Sequence, residues 1–405
     1  NPTESFERRN IVKGTTDYFQ FNADYVNPLT ESTKLELGVE TRIQNSSNGF
    51  NDINPSFTSA NNTFDFGRNI HSLYGNIGKQ LGKWSGQMGL RMEYFDLEAN
   101  FGINETNPTL SDSQKVTDDI FTVYPSAFLT YTANDKNSFN FNYSRRVDRP
   151  SIGQISPIRE WTTPLLESRG NPELTPQFTN SFEVNYTRTT KIGAVTSGIF
   201  YRRISDEISR VVFNDPNNPN RNILSYDNFD SNDAFGIETS GNLKFSKWWS
   251  VNASADMYFR TVKGTVQNAN TNALENAETD VTTFNVRVNN SFTATKDLRF
   301  QLFGMYRGKD RTLQFDREEM YRIDFGTTYN VLKGKGTITA RFNDMFETMR
   351  FAFDGNIPYR QSGAFFWESQ TVYLGFNYMF GGGKNRALAR KQRDANETSG
   401  GGGMF

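Results

Sequence analysis

One histidine and no cysteine limit the chemistry this 405-residue chain can perform. A His/Cys metal site lacks ligands, and a hydrolase built on an imidazole base would depend wholly on His71. Acids are abundant, but no pair has a spacing that singles out a glycosidase or a protease. The loop acids Asp215, Asp227, Asp230 and Asp233 offer oxygen ligands for calcium, without the regular spacing of a known calcium loop. The sequence therefore nominates no catalytic residue, no metal ligand set and no cofactor.

Charged residues fall instead at alternate positions among apolar ones. They are Glu36, Glu40, Arg42, Arg91, Glu93, Glu183, Glu238, Asp256, Arg287, Arg299, Asp324 and Arg341. Two-residue periodicity is the signature of a strand whose successive side chains point to opposite faces. The last such segment, residues 371–380, puts Val372, Leu374, Phe376, Tyr378 and Phe380 on one face. Tyr373, Gly375, Asn377 and Met379 lie on the other. An apolar face opposite a mixed one suits a wall with lipid outside and water or protein inside. Phe376, Tyr378 and Phe380 form a terminal aromatic signature of the kind that closes an outer-membrane barrel.

The same beat runs back through the chain. Phe19, Phe21 and Tyr25 alternate with polar neighbours, as do Leu35, Leu37 and Val39, then Met88, Leu90, Met92 and Tyr94. The periodicity predicts an all-β, antiparallel transmembrane barrel of about 15–16 strands in this chain. Short turns (near residues 27–32, 82–84, 134–137, 191–193, 247–249, 296–297 and 334–336) alternate with long polar stretches. The latter cover about 45–63, 98–118, 147–177, 213–234, 262–282, 307–318 and 352–366, and are expected to be external loops. Parity leaves fifteen strands with both ends inward, so either residues 2–12 form a sixteenth strand or an odd number precedes Asn1. Composition agrees. Phe (36), Tyr (17) and Gly (32) are abundant, while mean hydropathy is negative because only alternate strand residues face lipid. The net charge of -1 gives no electrostatic case for nucleic acid. No signal peptide opens the chain at Asn1, which is expected of a mature or truncated protein. Residues 1–380 are assigned to the barrel, and 381–405, glycine-rich with a basic segment, to a flexible periplasmic tail.

The longest insertion is the most distinctive. It opens with Tyr143-Ser-Arg-Arg-Val-Asp-Arg-Pro-Ser151 and closes with Gly170-Asn-Pro-Glu-Leu-Thr-Pro176, followed by Asn180-Ser-Phe-Glu-Val-Asn-Tyr186. Prolines 164, 172 and 176 stiffen it. Two readings stand: a rigid loop folded over the barrel mouth, or a substrate-contacting lid using Arg149, Trp161, Arg169, Asn171 and Glu173. These motifs resemble the barrel of TonB-dependent outer-membrane receptors. Together with Asp24-Tyr-Val-Asn-Pro-Leu29, Leu35-Glu-Leu-Gly-Val39 and the glycine-rich tail, they resemble its outer-membrane β-barrel branch, over essentially the whole chain.

That resemblance implies a larger protein of about 22 strands, with an N-terminal plug and early strands upstream of Asn1. It implies import of a bulky nutrient, powered by a TonB energy-transducing complex acting through that plug. The implied setting is the bacterial outer membrane, with the lipid bilayer, the outer-membrane assembly machinery and other outer-membrane proteins as partners. The implied protein is a transporter and not an enzyme. The alternative is a non-transporting barrel subunit of an outer-membrane assembly or secretion complex. The inward-facing set Glu36, Glu40, Arg91, Glu93, Glu183, Glu238, Asp256, Arg287, Asp324 and Arg341 then either pairs within a wet lumen or faces a plug or pathway. It contains no single-sign ring, so strong ion selectivity is not expected.

The facing assignment is testable. Leu374→Arg or Val286→Arg should destabilise the folded barrel in lipid vesicles by ~2–4 kcal/mol at the midplane. Asn377→Arg should cost clearly less in the same urea titration, and equal damage from both faces would reject the assignment.

Overall fold

The alternating segments fold as long antiparallel strands. The computed structural model describes residues 9–54, 57–104, 112–158, 160–163, 166–215, 218, 221–268, 271, 273–358 and 360–380. Among the described residues are fifteen strands of eight residues or more, six shorter strands, and one turn each of α-helix (Ile152–Ile155) and 3-10 helix (Leu332–Gly334). Seventeen strands belong to one hydrogen-bonded sheet and four short ones to another. The chain divides into two compact units. One comprises Asn1–Leu129, Tyr143–Thr179 and Asp206–Asn228; the other comprises Thr130–Asn142, Asn180–Ser205 and Phe229–Phe405.

In the first unit, Arg9–Thr30, Thr33–Asn54, Phe57–Leu81 and Trp84–Asn104 pair consecutively. Their register aligns Ala23 with Val39, Leu73 and Met92, and the neighbouring row aligns Asn22 with Glu40, Ser72 and Glu93. Directly opposed residues share a face, so apolar residues remain on one side across all four strands. Phe19, Phe21, Tyr25, Leu37, Val39, Leu73, Ile77, Met88 and Leu90 are all exposed there. An apolar surface so continuous exceeds what a water-soluble monomer carries, and it fits lipid. His71 lies on this exposed face, with Nδ1 3.2 Å from Thr41 Oγ1. The strands meet at tight turns where expected, and Gly82 takes a positive φ of 57° at one of them.

The structure corrects the reading of the long polar stretches as loops. Residues 45–63 mostly continue two strands, with pairing running from Thr30–Thr33 out to Arg9–Ile53. Much of 98–118, 213–234 and 262–282 likewise lies inside Trp84–Asn104, Asp112–Asn134, Gly193–Asn214, Asn222–Lys244, Trp249–Gln267 and Leu274–Thr293. Residues 9–12, which one expectation placed in a sixteenth strand over 2–12, belong instead to the same strand as Phe19; residues 1–8 lie outside the described residues. The reason is physical. Apolar alternation marks only the part of a strand that lies in lipid, whereas the backbone ladder extends wherever a partner continues beside it. The tail 381–405 lies outside the described residues.

The insertion packs on those extensions. Ile155, Ile158 and Leu174 are buried with Phe64, Phe66, Ala99 and Phe101, and the rings of Phe64 and Phe101 stack at 4.9 Å. Gly170 passes so close that a Cβ there would lie 2.5 Å from the Gln154 carbonyl oxygen. Its N–H donates to the Ser156 carbonyl (2.7 Å), and the Asn171 N–H donates to that of Gln154 (2.7 Å).

In the second unit, Trp249–Gln267, Leu274–Thr293, Leu298–Arg307, Met320–Val331, Gly336–Asn343 and Thr371–Tyr378 pair in series. One face carries Met257 beside Phe284, Val286 beside Tyr306 and Tyr321, and Phe342 beside Val372. Aromatic residues gather at a short turn: Trp248 and Trp249 lie 6.1 and 6.3 Å from the Phe292 ring, as in an interfacial girdle. The stretches 307–318 and 352–366, expected as loops, contribute to a second small sheet of Asp310–Arg311, Asp316–Arg317, Arg350–Gly355 and Gln361–Phe366. Phe315, Phe351, Phe353 and Phe365 cluster on it. Beside it, outside the spanning strands, Asp344 is fully buried. Burial pushes its carboxyl up, but donation from the Ser369 hydroxyl (2.6 Å) and the Thr348 and Met349 N–H groups outweighs this and holds it below the usual carboxylate range.

Amide hydrogen exchange checks the strand extensions. Residues 42–48 and 64–70 should exchange as slowly as 35–39, because both sets are paired. Exchange near the free-peptide rate would return 45–63 to a loop.

Candidate lumen-face site

The densest array of charge in the first unit forms around Glu93, which is 3% exposed. Strand register supplies three of its neighbours. Asn22, Glu40, Ser72 and Glu93 lie in one row, and Arg91 lies two residues from Glu93 on the same face. The Arg91 Nε donates to Glu93 (3.0 Å), and its Nη2 donates to Glu40 (3.0 Å) and to the Ser72 hydroxyl (2.6 Å). Ser72 in turn donates to Glu93 (3.0 Å). Arg42 approaches Glu40 at 3.8 Å and Glu93 at 4.0 Å, and Gln20 donates to Glu40 (2.8 Å).

The remaining member comes from the insertion. Arg149, its side chain 2% exposed, forms an ion pair with the second Glu93 oxygen. Its guanidinium also sits 4.7 Å from the Phe95 ring centroid and 3.4 Å from the Tyr124 hydroxyl. Three guanidiniums thus surround two carboxylates. With hydrogen bonds filling most directions around each oxygen, this is the arrangement in which a buried ion pair can offset its desolvation.

The structure therefore brings together Glu40, Arg91, Glu93 and Arg149. Sequence reasoning named all four but placed Arg149 in a different group. It did not single out Ser72, Phe95 or Tyr124, since nothing local marks a serine or an aromatic as the partner of a distant arginine. The other inward charges stand apart. Glu36 lies 2.6 Å from Lys34, Glu183 lies 3.4 Å from Arg202, and Asp324 lies 3.2 Å from Arg322. Glu238 sits opposite Asp256, to which Asn285 donates at 2.7 Å. Arg287 is opposite Ser254, and Arg341 sits 5.8 Å from the Tyr373 ring.

A cavity of about 340 Å3 opens beside the insertion, lined by Arg169, Asn171, Pro172, Phe213, Ser225 and Tyr226 among others. Asn171 works structurally there, donating to the Tyr226 carbonyl (3.0 Å) and accepting from the Glu173 N–H (2.9 Å). Glu173 is exposed, and Trp161 falls within Glu160–Thr163, its side chain outside the described residues. The loop acids do not converge on a cation. Asp215 is paired with Arg221 at 2.6 Å, Asp233 accepts from the Tyr201 hydroxyl at 2.6 Å, and no group of three potential metal ligands occurs among the described residues.

Glu93 should be the most sensitive position of the network. Glu93→Ala, which strands Arg149, should cost ~3–5 kcal/mol in urea unfolding from lipid vesicles. The double variant Glu93→Ala/Arg149→Met should be more stable than the sum of the two singles requires, and strict additivity would show that the two do not interact.

No curated protein matches the chain. Among solved structures, it is similar to the ferric yersiniabactin uptake receptor FyuA from Yersinia pestis over 94% of this chain and 56% of that one, at 12% identity and a TM-score of 0.62. The ferric-catecholate import receptor Fiu from E. coli K12 aligns over 91% and 55% of the two chains, at 14% identity and a TM-score of 0.58. The siderophore receptor PiuA from Acinetobacter baumannii aligns over 90% and 64%, at 12% identity and a TM-score of 0.57. At these identities the likeness is one of fold, and this chain spans between 55% and 64% of those receptors' lengths. The model of the outer membrane protein beta-barrel family matches residues 1–378. With its all-β antiparallel ladders and exposed apolar face, the chain belongs to that family and is a transmembrane barrel of the bacterial outer membrane.

Proposed function

We propose that this chain is the barrel portion of a TonB-dependent receptor that imports a bulky nutrient across the outer membrane. The observation that carries this reading is the composition of the inner face. Charges of both signs are tiled across it and largely paired, as around Glu93, with the 147–177 insertion packed against its outer end. A wall of that kind suits contact with a folded protein plug better than an open, ion-selective pore, which would present a ring of one sign. Similarity in fold to receptors for ferric siderophores supports the same reading. On this view Glu36, Glu40, Arg91, Glu93, Glu183, Glu238, Asp256, Arg287, Asp324 and Arg341 face the plug or the pathway. Arg169, beside the cavity, contacts solute, and Arg149 positions the insertion through Glu93. The energising partner is the TonB complex, reached through a plug. Phe376, Tyr378 and Phe380 present the terminal strand to the outer-membrane assembly machinery.

Uptake in the native host tests this. Cells lacking the protein should lose uptake of one member of a panel of radiolabelled ferric siderophores and other bulky nutrients, and cells with TonB inactivated should lose the same uptake. A function that survives TonB loss, with stoichiometric partners co-purifying, would replace this reading with that of a non-transporting subunit.

A further inference from the structure

The short turns of the second unit carry charge of mostly one sign. Residues 134–137, 190–193, 244–249, 294–298 and 331–336 hold Lys136, Lys191, Lys244, Lys247, Lys296, Lys333 and Lys335, all of them exposed. The same turns hold two acids, Asp135 and Asp297. Backbone hydrogen bonds link the turns in series. The Thr189 N–H donates to the Lys136 carbonyl (2.8 Å), Lys244 to Ile192 (2.6 Å), Thr293 to Trp248 (2.7 Å), Asn330 to Asp297 (2.8 Å) and Met379 to Lys335 (2.8 Å). The lysines therefore follow one end of the strand ladder, one or two to a turn.

None of the seven forms an ion pair among the described residues. At the far ends of the same strands lysines are neutralised instead. Lys263 lies 3.0 Å from Glu278, and Lys309 lies 3.4 Å from Glu319.

Aromatic residues run directly alongside the lysine row. The Phe139 ring lies 5.0 Å from Tyr186 and 6.4 Å from Tyr131, and Trp249 lies 4.6 Å from Phe245 and 6.2 Å from Trp248. Register places this belt on the lipid face. Trp249 opposes Phe292, which opposes Phe300, and Phe292 is an even number of residues from Phe284 and Val286. A neighbouring row joins Leu298, Tyr329, Ile338 and Phe376. Ile192, Trp248 and Leu332 are exposed beside their lysines.

Trp and Tyr settle at headgroup level, where an apolar body meets a polar boundary. A lysine just beyond them can lay its stem along that apolar surface and hold its ammonium among the phosphates. These ammoniums have no carboxylate to meet, and an anionic headgroup supplies the opposite charge. A protein partner would be met differently. Lysine is depleted at the cores of protein interfaces, and this charge is drawn out along the line where the wall leaves the hydrocarbon.

We propose that this lysine row binds anionic phospholipid headgroups, through their phosphates, in the leaflet that the short turns meet. The inference rests on the transmembrane barrel and not on the import reading above. Lys244 and Lys247 are its central members, because Trp248 and Trp249 beside them fix the depth.

Tryptophan quenching tests this on the intact protein, purified from native outer membranes in mild detergent and reconstituted into phosphatidylcholine vesicles. The probes are brominated phosphatidylglycerol and brominated phosphatidylcholine at low salt. Phosphatidylglycerol should be preferred by at least about threefold, because each lysine near an anionic surface adds to its attraction. Added salt should weaken the preference. Lys244→Gln/Lys247→Gln/Lys296→Gln should reduce it by about half or more. Lys263→Gln, which alters a lysine already held by Glu278 at the other end, should leave it unchanged. Each variant is compared only where unheated gel electrophoresis shows the folded band. Equal quenching by the two lipids, or a preference that the triple variant keeps in full, would overturn the proposal. Binding of an acidic periplasmic protein to these lysines, without a lipid preference, would overturn it in favour of a protein partner.

Discussion

Inside a bilayer no water is present to satisfy a strand's N–H and C=O groups, and each unmet group costs several kcal/mol. Every spanning segment must therefore lie beside another, in a register that exhausts both backbones. That requirement fixes the side chains as well. With Val39 opposite Leu73, and Leu73 opposite Met92, apolar residues continue on one face while Glu40, Ser72 and Glu93 continue on the other. A slip of one residue would turn the charged row toward lipid, at ~2–4 kcal/mol for each basic residue near the midplane. Backbone pairing and side-chain facing thus select the same register.

Behind that wall, guanidiniums and carboxylates pair in each unit. Around Glu93, guanidiniums and the Ser72 hydroxyl meet the carboxylate oxygens directly. The Arg149 end of this network ties the insertion to the strands that form the wall. Around Asp310, Arg260 lies at 2.6 Å and Arg317 at 3.9 Å, and both also donate to backbone carbonyls, those of Arg311 and Gly308. The first arrangement resembles a structural fastening.

Past the membrane boundary the same ladders go on with a different purpose. Polar strand extensions support the insertion through Phe64, Phe66 and Phe101, and a small separate sheet gathers Phe315, Phe351, Phe353 and Phe365. Water could satisfy these backbones, so what keeps them paired is the apolar material packed on them. External elements built this way hold binding residues more firmly than free loops would.

Much was legible from the residues alone. The alternation of Phe19, Phe21 and Tyr25, or of Val372, Leu374 and Phe376, requires strands with a lipid face, and the short turns follow where that alternation breaks briefly at Gly82 or Lys191. The family motifs of the insertion were equally plain. The length of the strands was not, since 45–63 carries no apolar alternation and pairs only because its neighbour continues beside it. Nor was the meeting of Arg149 with Glu93, 56 residues apart, or of Arg260 with Asp310, 50 residues apart. Side-chain periodicity is a local property, so the sequence by itself determined the strands' faces and the class of fold. Strand reach and charge partners are set by pairing between distant segments, and only the tertiary structure decides where those segments lie.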